Sequence, residues 1–308
     1  MKKSLIFPGQ GAQYVSMGYD LYQNFSEAKN VYDEVDESLK FKLSNIIFNK
    51  DTGDINLTAN TQPAIMATGV AIFKVLQSQL KINITDYDFC AGHSLGEYTA
   101  LVCADSLSLK EAAIILKARG ESMQSAVKSG EGAMAAILGA EIAEIEKIIK
   151  EKNYQSVEIS NDNCPGQIVI SGKKAEVQSC SLDIKNKIGK KSIFLPVSAP
   201  FHCKLMKPAA IKMEELIMNS NLKLPKIPII SNVLATQVTE VLKIKQLLVE
   251  QIYKKVRWRE IIEFMLNNLV TNFTEIGPGK SLSGMLKRFQ RNVNIKNYND
   301  INDIRDVK

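Results

Sequence analysis

Three residues in this chain have types and settings from which acyl-transfer chemistry can be built: Ser94, His202 and Arg119. Ser94 lies in Gly92-His93-Ser94-Leu95-Gly96, between a short apolar run, Asp88–Ala91, and an apolar helical stretch, Glu97–Ala104. A serine between strand and helix, flanked by glycines, is the setting of a nucleophile elbow, a strained turn that lifts the hydroxyl clear of the sheet. The helix that opens at Leu95 aims free N–H groups and its positive dipole end at developing negative charge, which makes the Leu95 N–H an oxyanion donor. The bland alternative is a Gly-Ser turn in an ordinary β-α connection.

A serine nucleophile needs a base, and the chain has two histidines. His93 adjoins Ser94, and neighbouring residues leaving a strand point to opposite sides, so it reads as a packed, hydrogen-bonded residue. His202 lies in Ser198-Ala199-Pro200-Phe201-His202-Cys203, a Pro-containing loop after a strand, where catalytic residues commonly sit. It is the candidate base for Ser94. A third partner is harder to find. An α/β-hydrolase triad runs Ser, acid, His, and the acids available between the two, Asp162 and Asp183, have no distinctive setting. A dyad oriented by backbone carbonyls fits equally well.

Arg119 bears on the substrate. Leu109, Ala112, Ile115, Leu116 and Met123 recur at helical spacing, and Arg119 falls on the same apolar stripe. A buried guanidinium without a partner costs several kcal/mol, so it must meet an anion. That anion is either an internal Asp or Glu or the carboxylate of a substrate, which the planar fork clamps in bidentate fashion.

The elements that must position these groups read as α/β. Ser4–Phe7 is a strand running into Pro8-Gly9-Gln10-Gly11, and a helix over about Thr61–Gln79 carries Pro63 near its start, where a missing N–H matters least. Ser108 and Glu111 form a capping box for a helix over about Leu109–Met123. The middle then changes character: strands at Ala133–Leu138, Ser156–Ser160, Gln167–Ser171 and Ser192–Val197 alternate with helices at Glu141–Lys152 and Lys173–Ile188. That β-α-β-β-α-β order is the ferredoxin-like pattern and predicts a small inserted domain over residues 129–196, within a larger domain of residues 1–128 and 197–308. The α/β pattern resumes with a strand at Ile227–Ser231, a helix at Leu242–Tyr253, a strand at Asn272–Ile276, and Gly277-Pro278-Gly279 leading into a helix from about Lys280 to Arg288.

Composition narrows the function classes. The 308 residues, 45% hydrophobic and 23% charged, suffice for a large core in one or two domains. A formal charge of +6 without a long basic run argues against a nucleic-acid arm but leaves room for a basic face that meets an acidic partner. No stretch approaches the ~20 apolar residues of a membrane span. The opening apolar run is cut by Pro8 and Gly9, short of the roughly 7–15 residues of a signal-peptide core. Cys90, Cys103, Cys164, Cys180 and Cys203 are scattered with no C-x-x-C pair, and with so few histidines no zinc site is expected. They read as reduced, mostly buried thiols of a cytoplasmic protein.

Taken together, the residues resemble the malonyl-CoA:acyl carrier protein transacylases of bacterial-type fatty acid synthesis, from end to end. The matching stretches are Phe7-Pro8-Gly9-Gln10-Gly11, Gln62-Pro63, Gly92–Tyr98, Arg119-Gly120, Asn161 to Gly172, Pro200-Phe201-His202, Gln251 with Tyr253, and Glu275-Ile276-Gly277-Pro278-Gly279. The resemblance implies Ser94 as nucleophile, His202 as base and Arg119 as clamp for a malonyl carboxylate. It implies that the Gln10 N–H completes the oxyanion hole beside Leu95, and that the Gln251 backbone carbonyl orients the histidine. Gln251, Phe201 and Asn161 are expected to border the substrate. Phe201 and Cys164 stand where some members carry Ser, and in related modular synthases Phe before the histidine accompanies malonyl. The implied fold is an α/β-hydrolase-like domain with a ferredoxin-like insertion. No cofactor is expected beyond the malonyl-CoA donor, and the expected partner is an acidic acyl carrier protein bearing phosphopantetheine. Lys190, Lys191, Lys280, Lys287 and Arg288 are its docking candidates on an expected monomer. Two rivals are a serine hydrolase or thioesterase of the same fold, which has no need of Arg119 on an apolar face, and a non-catalytic scaffold, which need not retain nucleophile, base and clamp together.

Overall fold

A computed structural model describes residues 1–197, 199–289 and 292–305; Ser198 of the predicted histidine loop lies outside the described residues. The elements run β1 (Lys2–Phe7), α1 (Tyr19–Asn24), α2 (Ser26–Leu39), α3 (Leu43–Phe48), α4 (Thr58–Leu80), β2 (Phe89–Gly92), α5 (Gly96–Cys103) and α6 (Leu109–Ser125). Then come β3 (Gly132–Leu138), α7 (Ile142–Glu151), β4 (Glu158–Cys164), β5 (Gln167–Lys173), α8 (Lys174–Ile188) and β6 (Lys191–Phe194). The last part holds α9 (Lys207–Met218), β7 (Ile229–Ile230), β8 (Gln237–Val238), α10 (Val241–Gln251), α11 (Trp258–Asn267), β9 (Val270–Ile276), α12 (Ser281–Leu286), β10 (Asn294–Tyr298) and α13 (Ile301–Arg305). The fold is mixed α/β.

One sheet has the order β10-β9-β1-β2-β7-β8, parallel except for the β7–β8 pair. Its apolar strands divide their side chains between two faces, as a period of two demands. Leu5, Phe7, Cys90 and Ile229 enter the main core with the helices α4 to α6, whereas Ile6, Phe89, Ala91 and Ile230 enter a second core with Trp258 and Ile261 of α11. Both faces are thus covered, as a parallel sheet requires. A second, antiparallel sheet has the order β4-β5-β3-β6 with its own core beneath α7 and α8.

The second sheet is tied to the first unit by backbone and charge. Val256 donates to the Ser160 carbonyl at 2.8 Å, and Asp162 donates to the Val256 carbonyl at 2.9 Å. The buried Asp162 carboxylate accepts from Arg259 Nε at 3.0 Å and pairs with Nη2 at 2.9 Å. Asp183 pairs instead with Tyr154 and Lys152. Neither acid is free for a catalytic triad.

Several expectations need correction. α4 begins at Thr58, so Pro63 lies inside the helix rather than in its first turn, and the bond that its N–H would make to the Ala59 carbonyl is absent. There α6 approaches closely: a Cβ on Gly120 would sit 2.6 Å from the Ala59 Cα, so glycine is required. β7 is only two residues long, and β4 continues past Ser160 to Cys164, which carries Asn161 and Asn163 onto the strand. The Ser108 hydroxyl accepts from the Glu111 N–H at 3.2 Å, but the Glu111 carboxylate accepts from that hydroxyl and from Asn221 instead of closing the box on the backbone. The helices α1–α3, α9, α11 and α13 have no counterpart in the sequence reading. The five cysteines are all buried and unpaired. Among the described residues, no helix is long and apolar enough to cross a membrane.

Candidate active site

β2 ends at Gly92 beside the end of β1, where Phe7 is paired with Gly92, and the chain turns sharply into α5. Ser94 takes φ of 52° in this turn, a left-handed conformation that non-glycine residues rarely adopt. The turn is tight enough that a Cβ on Gly92 would stand 1.9 Å from the Gly96 carbonyl. Asn232, in the loop after β7, holds it from both sides: its Oδ1 accepts from the Ser94 N–H at 2.7 Å and its Nδ2 donates to the Gly92 carbonyl at 2.7 Å. Asn232 is not legible in the sequence, because a single Asn after a strand carries no distinctive signal.

The loop after β6 brings His202 to the nucleophile, again with a positive φ, of 57°. Nε2 stands 2.8 Å from Ser94 Oγ, and Nδ1 stands 2.7 Å from the Gln251 backbone carbonyl. A carbonyl can only accept, so the proton of the neutral ring resides on Nδ1 and Nε2 is left to accept from the serine hydroxyl. Burial, followed by the charge of Arg119, pulls the imidazole down to about 3, and the Gln251 bond opposes this. The ring is therefore a neutral acceptor at neutral pH.

Arg119 of α6 is 1% exposed. Nη1 donates to Gln62 Oε1 at 2.6 Å, and Nη2 donates to Gln251 Oε1 at 2.8 Å and to Ser94 Oγ at 3.2 Å. Its Nε has no hydrogen-bond partner among the described residues. No carboxylate forms an ion pair with it there either. The internal Asp or Glu left open by the sequence is thus not in direct contact. Neutral amides anchor the guanidinium beside the nucleophile, and its positive charge stays available to an anion.

These groups open onto a cavity of about 550 Å³ between the two sheets. Gln10, Ser94, Leu95, Arg119, Phe201 and His202 line it, and Asn161 reaches it from β4. The N–H groups of Gln10 and Leu95 make no hydrogen bond within the described structure, so both remain available as donors. Asn161 Oδ1 accepts from the Ser160 hydroxyl at 2.8 Å. His93 pairs with Asn163 Oδ1 at 2.9 Å and meets Trp258 edge-on, yet also borders the cavity. Gln251, expected to border the substrate, is fully buried behind the site and does not line the cavity. Its Nε2 donates to the Ser94 carbonyl at 2.9 Å and to Glu97 Oε2 at 2.7 Å. That side-chain role, and those of Gln62 and Glu97, escaped the sequence reading although all three lie within matched stretches.

The arrangement can activate a hydroxyl, hold an oxyanion and receive a carboxylate. Comparison with known proteins agrees in kind. A family model described as "Acyl transferase domain" matches residues 4–301. The malonyl CoA-acyl carrier protein transacylase of Bacillus subtilis is 47% identical over 294 residues, covering 94% of this chain and 91% of the relative. The crystal structure of an acyl-carrier-protein-S-malonyltransferase from Bartonella henselae superposes with a TM-score of 0.95 at 40% identity, covering 100% of this chain and 98% of that one. A malonyl-transacylase in complex with its type II PKS acyl-carrier protein gives a TM-score of 0.93 at 36% identity, covering 99% and 98%. With a family match over nearly its whole length and relatives this similar, the chain belongs to the malonyl CoA-acyl carrier protein transacylase family.

Proposed function

We propose that the protein transfers the malonyl group from malonyl-CoA to the phosphopantetheine thiol of an acyl carrier protein, through a malonyl ester on Ser94. The observation that carries this reading is Arg119: a buried cation held by neutral amides, 3.2 Å from Ser94 Oγ and without an ion-pair partner among the described residues. A substrate carboxylate placed on it sets the thioester carbonyl against the serine.

In the first half-reaction Ser94 Oγ bonds to the thioester carbon while His202 Nε2 takes the hydroxyl proton. The N–H groups of Gln10 and Leu95 hold the oxyanion. The C–S bond breaks, and His202 returns the proton to the coenzyme A sulfur. In the second half, His202 takes the proton of the carrier's thiol as its sulfur attacks the malonyl ester, and Ser94 leaves with that proton. A carboxylate on Arg119 also offsets the charge that depresses His202, so the substrate itself strengthens the base. Acetyl, lacking the carboxylate, forms no ion pair with the guanidinium and is disfavoured.

Residues 1–128 and 197–308 form an α/β-hydrolase-like catalytic domain and residues 129–196 a ferredoxin-like subdomain; the antiparallel order β4-β5-β3-β6 supports the latter. The protein works as a cytoplasmic monomer without a cofactor of its own. Asn161 and Phe201 border the acyl group from the cavity wall. Lys190, Lys191, Lys280, Lys287 and Arg288 meet the acidic carrier protein; Lys280 already pairs with Asp303 at 3.7 Å. Phe201 favours malonyl among carboxylated acyl groups.

Incubation with radiolabelled malonyl-CoA, followed by peptide mapping, should place one label on Ser94 and pass it to added carrier protein faster than to water. Label that persists in Ser94→Ala would overturn the assignment, and hydrolysis outpacing transfer would make the protein a thioesterase.

A further inference from the structure

Glu97, three residues after the nucleophile, is 3% exposed and has no place in the mechanism above. Its Oε2 accepts from Gln251 Nε2 at 2.7 Å and from the Asn232 N–H at 3.2 Å. Gln251 Nε2 also donates to the Ser94 carbonyl. Two acceptors on one side of this amide decide its orientation: the NH2 must face Glu97 and Ser94, and Oε1 must face Arg119 Nη2. With the amide reversed, NH2 would meet guanidinium, donor against donor. A carboxylate at position 97, unlike an amide, can only accept when ionised, so it admits one arrangement.

Glu97 also acts on Arg119 as a charge at one remove, through Gln251. The titratable and charged neighbours are few. Tyr98 on the same helix is held neutral by burial, and His202, joined to the same Ser94, is neutral for the reason given above. The Arg257 side chain, beyond Asn232, pairs with Glu260. The ionised Glu97 is therefore the carboxylate that acts on Arg119 without touching it, and an acyl carboxylate brings a second negative charge to a buried cluster with a single cation.

We infer that Glu97 is a positioning residue that sets the polarity of the Gln251 amide and serves as the resident counter-charge of Arg119, and that an entering acyl carboxylate takes over this second duty while a proton from solvent goes to Glu97. The inference rests on the malonyl-transfer reading. Burial pushes the Glu97 carboxyl up to about 7, against the pull of Gln251, Asn232 and Arg119, so the exchange falls in an accessible range. Below that point Glu97 is already protonated and malonyl meets an unbalanced cation. Above it, each malonyl bound must bring a proton with it, and affinity falls as pH rises.

The test is the KM for malonyl-CoA from about pH 6 to about pH 9, with acetyl-CoA as a competitor giving Ki in the same buffers. Both ligands share the coenzyme A phosphates, so ionisation of the carrier group cancels in the ratio. In the wild type the ratio of malonyl KM to acetyl Ki should rise above neutral pH, by up to about tenfold per pH unit. In Glu97→Gln the ratio should be flat. A flat ratio in the wild type overturns the inference whether or not the variant folds, and a folded Glu97→Gln that keeps the wild-type slope overturns it too. Failure of the underlying reading looks different: no malonyl would reach Ser94 at any pH.

Discussion

His202 Nδ1 donates to the backbone carbonyl of Gln251 at 2.7 Å, while the side chain of that same glutamine accepts from Arg119 at 2.8 Å. One residue therefore orients the base through its main chain and holds the clamp through its side chain, and mutation separates the two. Gln251→Ala retains the carbonyl, so kcat should fall by less than about tenfold while KM for malonyl-CoA rises. His202→Ala removes the base and should lower kcat by about 10²–10⁴-fold. Steady-state transfer assays check this; equal kcat losses would mean that the side chain, not the carbonyl, governs the histidine.

Arg119→Ala takes away the partner of an incoming carboxylate. Truncating one member of a buried charge pair costs about 3–5 kcal/mol, so malonyl kcat/KM should drop by roughly 10²-fold or more. Acetyl transfer should change far less. Parallel measurement with both thioesters decides the matter, and equal losses would make the arginine a packing residue. Arg119→Lys should recover little, since one ammonium cannot serve Gln62, Gln251 and a carboxylate in a plane.

The depressed imidazole sets the acid side of the pH profile. A histidine whose pKa lies below the usual 6.5 remains a base as pH falls through that value, and loses this ability only toward about 3. The profile of kcat/KM, which reports the free enzyme, should show no acid limb near 6.5. A limb there would place His202 in a wetter setting than the one described.

The elbow tolerates no side chain at Gly92. Gly92→Ala must move the Gly96 backbone, which meets the added carbon at 1.9 Å, and should cost at least about 1–3 kcal/mol. The urea midpoint should fall and serine labelling should be lost in the same variant. A stable, active Gly92→Ala protein would refute the geometry of the turn.

Glu275 holds the far wall of the cavity. Its carboxylate accepts from the N–H groups of Leu282 at 3.0 Å and Ser283 at 2.7 Å, fastening the start of α12. Glu275→Ala should cost about 1–2 kcal/mol of stability. Because Leu282 and Met285 line the cavity, KM for malonyl-CoA should rise with little change in kcat.

The nucleophile, the base and the buried cation were legible in the sequence because each obeys a local rule. Ser94 stands between glycines at a strand-to-helix turn, His202 in a loop closed by Pro200, and Arg119 on an apolar stripe. The order of strands and helices in the second sheet was legible for the same reason, since periodicity needs only neighbours along the chain. What the sequence could not decide was how groups 25 to 157 residues apart meet. The missing acid of the triad is a backbone carbonyl, which has no residue type to betray it, so that only the resemblance pointed to Gln251. The anchors of Arg119 are amides of α4 and α10, and Asn232, between β7 and α10, clamps the elbow. Whether a buried arginine faces its own carboxylate or keeps its charge for a ligand depends on what surrounds it in three dimensions. Here the close packing at Gly120 brings α6 against the start of α4, and neutral oxygens meet the guanidinium first.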